Sequence, residues 1–425
     1  MMDAMSESKP AYRIAGGSPL HGRVRICGSK NGADYAMAAA LLTAGDVVLH
    51  NVPDIGDVQQ MAEILRELGA IVEQPTPSTL RINCADLTTS EAPARLAAQL
   101  RAGFLVMGSL LARTGKAACP PPGGDVIGIR PLDVHLAGFR TIGANVAREG
   151  EMFVARANGP LRGGRVVLDY PSVMGTLNVM LAATLAQGET TIINAATEPE
   201  VVSLAQMLTR MGANIAGAGT HTVRIDGVRE LSGVEHHIIP DRLEAGTFAL
   251  AAAITGGEVE LEEAVPEHID ALIWKMREAG AIVEPTDAGM RVRGAKTYRA
   301  VGAQAVPYPG LATDLHPPLA AFLTQASGVS TIHERVFDNR MLYIGELRKM
   351  GADVITAGQT AIISGPTTLS AAHVKALDVR AGSALVLAAL VAEGTTEIAD
   401  INHIERAHEQ LDVKLRGLGA SIERA

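Results

Sequence analysis

The chain has 425 residues, of which 47% are apolar, 20% charged and 3% aromatic. That composition suits a globular protein of two to four domains with a substantial core, and excludes collagen-like, disulfide-rich and wholly disordered classes. A net charge of −9, with few aromatics, argues against duplex binding and against stacking on single-stranded nucleic acid, so no nucleic-acid partner is expected.

In chain order, the N-terminal segment lacks a basic stretch followed by an apolar one, so no signal peptide is expected. The three cysteines, Cys27, Cys84 and Cys119, have no CxxC spacing. They form neither a disulfide framework nor a zinc site, and Cys27 and Cys84 read as small buried apolar residues. The longest apolar run near the C-terminus, residues 384–392, is far short of the ~20 residues a bilayer requires. A cytoplasmic location without membrane contact is the expectation.

A short signature then recurs along the whole chain. It appears at Leu68-Gly69-Ala70, Ile142-Gly143-Ala144, Met211-Gly212-Ala213, Ala279-Gly280-Ala281, Met350-Gly351-Ala352 and Leu418-Gly419-Ala420. A fixed spacing of roughly 70 residues means six repeated units. Each signature closes an amphipathic helix, such as residues 58–68 or 201–211, with glycine where a helix end requires positive φ. Upstream in most units lies a β-type run (47–49, 190–193, 258–261, 330–332, 396–398). Before that run comes an Ala-rich helix (36–43, 174–186, 246–255, 319–326, 383–392) that is apolar nearly all round and therefore buried. Two globular lobes of three units each fit this pattern better than an open solenoid. A single doubly wound sheet is the alternative, but no GxGxxG or P-loop follows a strand.

Charged residues gather at the starts of the Ala-rich helices. Lys30 and Asn31, in a GSKNG turn, precede the first, and Arg101 lies within the second. Ser172 precedes the third, Asp241 and Arg242 the fourth, Asp314 the fifth, and Asp378 and Arg380 the sixth. Helix N-termini expose unpaired N–H groups, so several converging there would make an anion site. Simple N-capping is the competing reading for Asp241 and Asp314, and a solvated face for Arg101 and Arg340. Residues 119–131 are dense in Pro and Gly and carry Cys119, Asp125 and Arg130, which reads as a functional lid or a surface loop.

Taken together, the motifs resemble the enolpyruvyl transferases over nearly the whole chain. They are GSKN at 28–31, PPGGDVIGIRPLDVH at 121–135, NAATEPE at 194–200, PDRLEAGTF at 240–248, ATDL at 312–315, FDNR at 337–340 and DVRAGSALVLA at 378–388. The resemblance implies an α/β (α+β) two-lobed fold of six βαβαββ-type repeats, with helices inside a β surface. Lobe 1 is then 1–28 plus 240–425, and lobe 2 is 29–239, carrying the lid 119–131. It also implies lobes that close over substrate.

The implied reaction moves the enolpyruvyl group of phosphoenolpyruvate to the 3-hydroxyl of UDP-N-acetylglucosamine and releases phosphate, at the first committed step of peptidoglycan synthesis. No metal or cofactor is implied. Lys30, Arg130 and Arg406 would hold phosphoenolpyruvate, with Arg340 and Arg380 alongside, and Asn31 would help to position the substrates. Arg101, Arg130, Pro131, Leu132, Asp133, Val134, Ser172, Val173 and Val336 would line the nucleotide-sugar site. Asp314 would be the base near the 3-hydroxyl, Asp125 the proton donor in the lid, and Asp378 a neighbour of the reacting centre.

Asp125 stands where most members carry the cysteine that fosfomycin alkylates, so resistance is expected. Tyr170, Met174 and Ala407 also depart from the usual residues and bear on the acceptor. Another acceptor, such as shikimate 3-phosphate or a secondary-metabolism nucleotide, and a non-catalytic nucleotide-sugar-binding paralogue are the alternatives.

Overall fold

A computed structural model describes residues 10–425, so the opening of the N-terminal segment lies outside the described residues. The chain divides into two compact units. The first comprises residues 10–26, Asp125–Ile129 and Asp241–Ala425; the second comprises Cys27–Gly124 and Arg130–Pro240. The lid expected in lobe 2 is therefore divided: Asp125–Ile129 group with the first unit and both flanks with the second.

Among the described residues the strands form six small sheets, three in each unit, instead of one doubly wound sheet. In the first unit the strand Ala11–Ala15 lies antiparallel between Thr395–Ala399 and Ser421–Arg424, and His21–Arg25 runs parallel to Glu258–Glu262. The N-terminal residues thus complete two sheets of the unit formed by the C-terminal half. In the second unit Val234–His237 pairs in parallel with Val47–His50, so the last strand returns to the first.

The Ala-rich segments form the expected buried helices, including Lys30–Ala40, Val173–Ala183, Arg242–Ile254, His316–Leu323 and Val379–Ala389. Small side chains let these helices approach closely. Gly108 shows how closely: a Cβ there would lie 2.4 Å from the Asn178 carbonyl oxygen. Each large apolar side chain so buried stabilises by about 1.5–3 kcal/mol. One apolar cluster fills each unit.

The outer helices are amphipathic as the spacing requires. Gly56–Glu67 buries Val58, Met61, Ile64 and Leu65. The signature glycines after the outer helices all adopt positive φ, from +91° at Gly351 to +115° at Gly280. An L side chain there would be strained, which is why the signature recurs. No described helix is long and apolar enough to cross a membrane.

Candidate active site

In the first unit, the starts of two inner helices hold a charged cluster. Asp378 caps Val379–Ala389, its Oδ1 accepting from the Arg380 and Ala381 amides at 2.8 and 3.0 Å. Asp241 caps its own helix in the same way, accepting from Leu243 and Glu244 at 2.7 and 3.0 Å, so the capping reading holds there.

The capping reading fails for Asp314. That residue lies in the short turn Thr313–Leu315, where Ala312 occupies the cap position, and its carboxylate is clamped by two arginines. Arg340 Nη2 donates to Oδ1, and Arg380 Nε donates to Oδ2 at 3.0 Å. Nor is Arg340 on a solvated face: its side chain is 1% exposed and that of Arg380 5%, whereas Asp314 keeps 27%. Buried guanidiniums need carboxylate partners, and the bridging Asp314 serves both. Burial opposes the Arg380 charge, but Asp314, Asp241 and Asp125 overcome it and hold its pKa above the ordinary value. Arg340 Nη1 makes no hydrogen bond and lies 3.9 Å from Asp378.

Arg406 Nη1 lies 3.6 Å from Asp125 Oδ1. The residues after Asp125 are held by backbone contacts. The Ile129 amide donates to Asp338 at 3.0 Å, the Asn339 amide to the Ile127 carbonyl at 3.1 Å, and Asn339 Nδ2 to the Val126 carbonyl at 3.1 Å. Gly128 makes this approach possible: at φ +127°, a Cβ would lie 1.7 Å from Asp338 Oδ1. Cys119 is not part of the lid. It ends the strand Lys116–Cys119, fully buried, and burial pushes its thiol pKa far up, so it is inert as a nucleophile.

In the second unit, Lys30 is the first residue of its helix and not a turn residue. Ser29 caps that helix, and Lys30 donates to the buried Asp57 at 2.9 Å. Arg101 sits in the 3-10 turn Arg101–Leu105, ahead of the helix Val106–Thr114 and not within it. It is half-buried, and its guanidinium donates to the Arg130 carbonyl at 2.6 Å. Arg130 in turn reaches the Gly123 carbonyl at 3.4 Å. Burial, then the Arg130 charge, lowers the Arg101 pKa to about 10.

Ser172 caps Val173–Ala183, and Tyr170 donates to the exposed Asp133 at 3.3 Å. Burial, then Asp133, raises the Tyr170 pKa to about 12. Pro131 is exposed and Leu132 half-buried, while Val134 is buried against the helix that Ser172 caps. Asn31 is half-buried in the first turn of its helix, and Val336 sits exposed on a loop of the first unit.

Sequence reasoning missed Glu334, His316, Thr313 and Asp57. Glu334 carried a usable signal. It lies in phase with the inward-facing Ser330 and Ile332 on the strand Ala326–Glu334, a charged residue at a core position.

A model of the family EPSP synthase (3-phosphoshikimate 1-carboxyvinyltransferase) matches residues 14–415. Among curated relatives, UDP-N-acetylglucosamine 1-carboxyvinyltransferase 1 of Caldanaerobacter subterraneus subsp. tengcongensis is 46% identical over 416 residues, covering 98% of this chain and 100% of the relative. UDP-N-acetylglucosamine 1-carboxyvinyltransferase 2 of Carboxydothermus hydrogenoformans is 47% identical over 415 residues, covering 97% and 99%. In fold the chain is similar to the enolpyruvyl transferase NikO from Streptomyces tendae, with a TM-score of 0.87 at 23% identity, covering 98% and 99%. It is also similar to the EPSP synthase of Acinetobacter baumannii, with a TM-score of 0.79 at 18% identity, covering 98% and 100%.

Proposed function

We propose that this chain, which belongs to the EPSP synthase (3-phosphoshikimate 1-carboxyvinyltransferase) family, transfers the enolpyruvyl group of phosphoenolpyruvate to the 3-hydroxyl of UDP-N-acetylglucosamine, opening peptidoglycan synthesis. The nucleotide sugar is preferred over shikimate 3-phosphate as acceptor because relatives 46–47% identical over nearly the full chain carry that name.

The observation that carries the reading is the clamp on Asp314. Two buried guanidiniums fix both oxygens of a carboxylate that stays partly exposed. A base on a fixed mount can meet one hydroxyl in one orientation, which is how a positioned base lowers a barrier. Asp314 takes the proton of the 3-hydroxyl as that oxygen attacks C2 of phosphoenolpyruvate. Asp125 gives a proton to C3, and a tetrahedral adduct forms. C3 then loses a proton as the C2–O bond to phosphate breaks.

Charge governs both steps. Phosphoenolpyruvate brings a phosphate and a carboxylate, which need cations that bind oxyanions in fixed geometry. Arg406, Arg340, Arg380, Lys30 and Arg130 are the residues assigned to this role. Asp378 helps to hold Arg340 and faces the reacting centre. Asn31, Arg101, Pro131, Leu132, Asp133, Val134, Ser172, Val173 and Val336 bind the acceptor. The Asp133–Tyr170 hydrogen bond supports this: it holds a carboxylate acceptor at the start of helix Asp133–Thr141.

A coupled phosphate-release assay with phosphoenolpyruvate tests the proposal. Release is expected with UDP-N-acetylglucosamine and not with shikimate 3-phosphate. Release with shikimate 3-phosphate alone, or with neither, would overturn it.

A further inference from the structure

We propose that Glu334 is a positioning residue that ties the seating of the Asp125 segment to the orientation of Asp314. This inference rests on the proposed reaction. Its basis is a carboxylate with four donors and no exposure at all. Oε1 accepts from the Val336 amide at 2.8 Å and the Phe337 amide at 3.2 Å. Oε2 accepts from the Thr313 hydroxyl at 2.8 Å and from His316 Nδ1 at 3.0 Å, and both Glu334 and His316 are 0% exposed. All its acceptor sites face donors, so an acceptor-only, ionised side chain is required. Burial works against that charge, but His316, the Val336 amide and Thr313 outweigh it and hold the Glu334 pKa low. Burial lowers the His316 pKa, and Nδ1 donates to the carboxylate.

The four donors belong to two pieces of the site. Val336 and Phe337 open the loop that continues through Asp338 and Asn339, the residues that grip Val126, Ile127 and Ile129 after Asp125. The same loop ends at Arg340, which packs over the Phe337 ring at 5.5 Å. On the other side, Thr313 immediately precedes Asp314, and its hydroxyl oxygen also accepts from Arg340 Nε at 3.2 Å. One buried carboxylate thus fixes the loop that seats the Asp125 segment, the arginine that clamps Asp314, and the turn that carries Asp314. His316 begins the next helix, and Tyr343 packs edge-on against it with ring centroids 5.7 Å apart, which locks the imidazole in place.

The test is Glu334→Gln in the full-length enzyme. Glutamine keeps the size but places an NH₂ group opposite two donors. A geometric error of this kind costs about tenfold in kcat, with the acceptor KM within twofold. Hydrogen exchange at the Ile129 amide is expected to quicken in the same variant. Thr313→Val removes one of the four donors to Glu334 together with the acceptor for Arg340 Nε and should lower kcat in the same direction, while Thr313→Ser should restore it. The Thr313 pair decides the matter if Glu334→Gln fails to fold. The proposal is overturned if folded Glu334→Gln keeps kcat within twofold and Ile129 exchange is unchanged, or if Thr313→Val and Thr313→Ser behave alike. A wild-type chain that releases no phosphate with any acceptor would sink the reaction instead, and Ile129 exchange would still judge the Glu334 linkage.

Discussion

The two arginine sites of this chain are built on opposite principles. In the first unit Arg340 and Arg380 each face the Asp314 carboxylate, and both side chains are almost completely buried. In the second unit the Arg101 guanidinium meets a backbone carbonyl and the charge of a second arginine, Arg130. In the first arrangement one shared carboxylate offsets part of the positive charge and ties both guanidiniums down before any substrate arrives. In the second, burial and the Arg130 charge both weigh against the charged form of Arg101, and an arriving anion would favour it. The two sites therefore differ in what their guanidiniums are tied to, a shared carboxylate in the first unit and a backbone carbonyl in the second.

The largest effect that can sharpen this contrast is expected at Asp125. Replacing it with alanine should lower phosphate release by about 10²–10⁴-fold, the usual worth of a proton donor. Asp125→Cys should keep turnover and make the enzyme sensitive to fosfomycin, since a thiolate opens an epoxide and a carboxylate does so poorly. Stoichiometric labelling of the wild type by fosfomycin would remove Asp125 from the reaction.

Next comes Asp314→Asn, which keeps a hydrogen-bonding group but not a base. Turnover should fall by about 10²-fold or more while the affinity for UDP-N-acetylglucosamine, read by calorimetry, changes by only a few-fold. Near-normal turnover would reduce the clamp to a structural ion pair.

Stability separates the two sites directly. Arg340→Met strips one partner from a buried pair and should cost about 3 kcal/mol in urea unfolding. Arg101→Met removes one of two like charges and should cost well under about 1 kcal/mol, or even stabilise, while weakening the nucleotide-sugar complex. Equal losses in the two variants would break the comparison.

A further difference is expected in acid. Burial, aided by the Arg101 charge, lowers the His135 pKa to about 3 from an ordinary 6.5. Between those values the unfolded chain binds the extra proton, so the stability from this residue is complete above pH 6.5. It is lost as pH falls toward 3, by up to about 1.4 kcal/mol per pH unit. Burial likewise lowers His236 to about 4 and His408 to about 3. Arg101→Met should raise the His135 value, so that the fall in urea-unfolding stability ends at a higher pH, while its onset near pH 6.5 stays where it is.

The six-fold repeat, the buried Ala-rich helices and the glycine closing each outer helix were all legible along the chain, because each depends on neighbours within a few residues. Helix periodicity and the need for positive φ leave their mark locally, as at Gly69 and Gly280. Capping is equally local, and Asp241 does cap its helix. Asp314 sits in the same kind of place and does something else, because its partners Arg340 and Arg380 lie 26 and 66 residues further on. The split of the lid, which gives Asp125–Ile129 to the first unit, depends on Asp338 and Asn339, more than 200 residues away. Local sequence sets backbone conformation and which face of an element is buried. Which charge neutralises which across the core is decided only when distant segments are packed together, since a buried ion persists only where the fold supplies its partner.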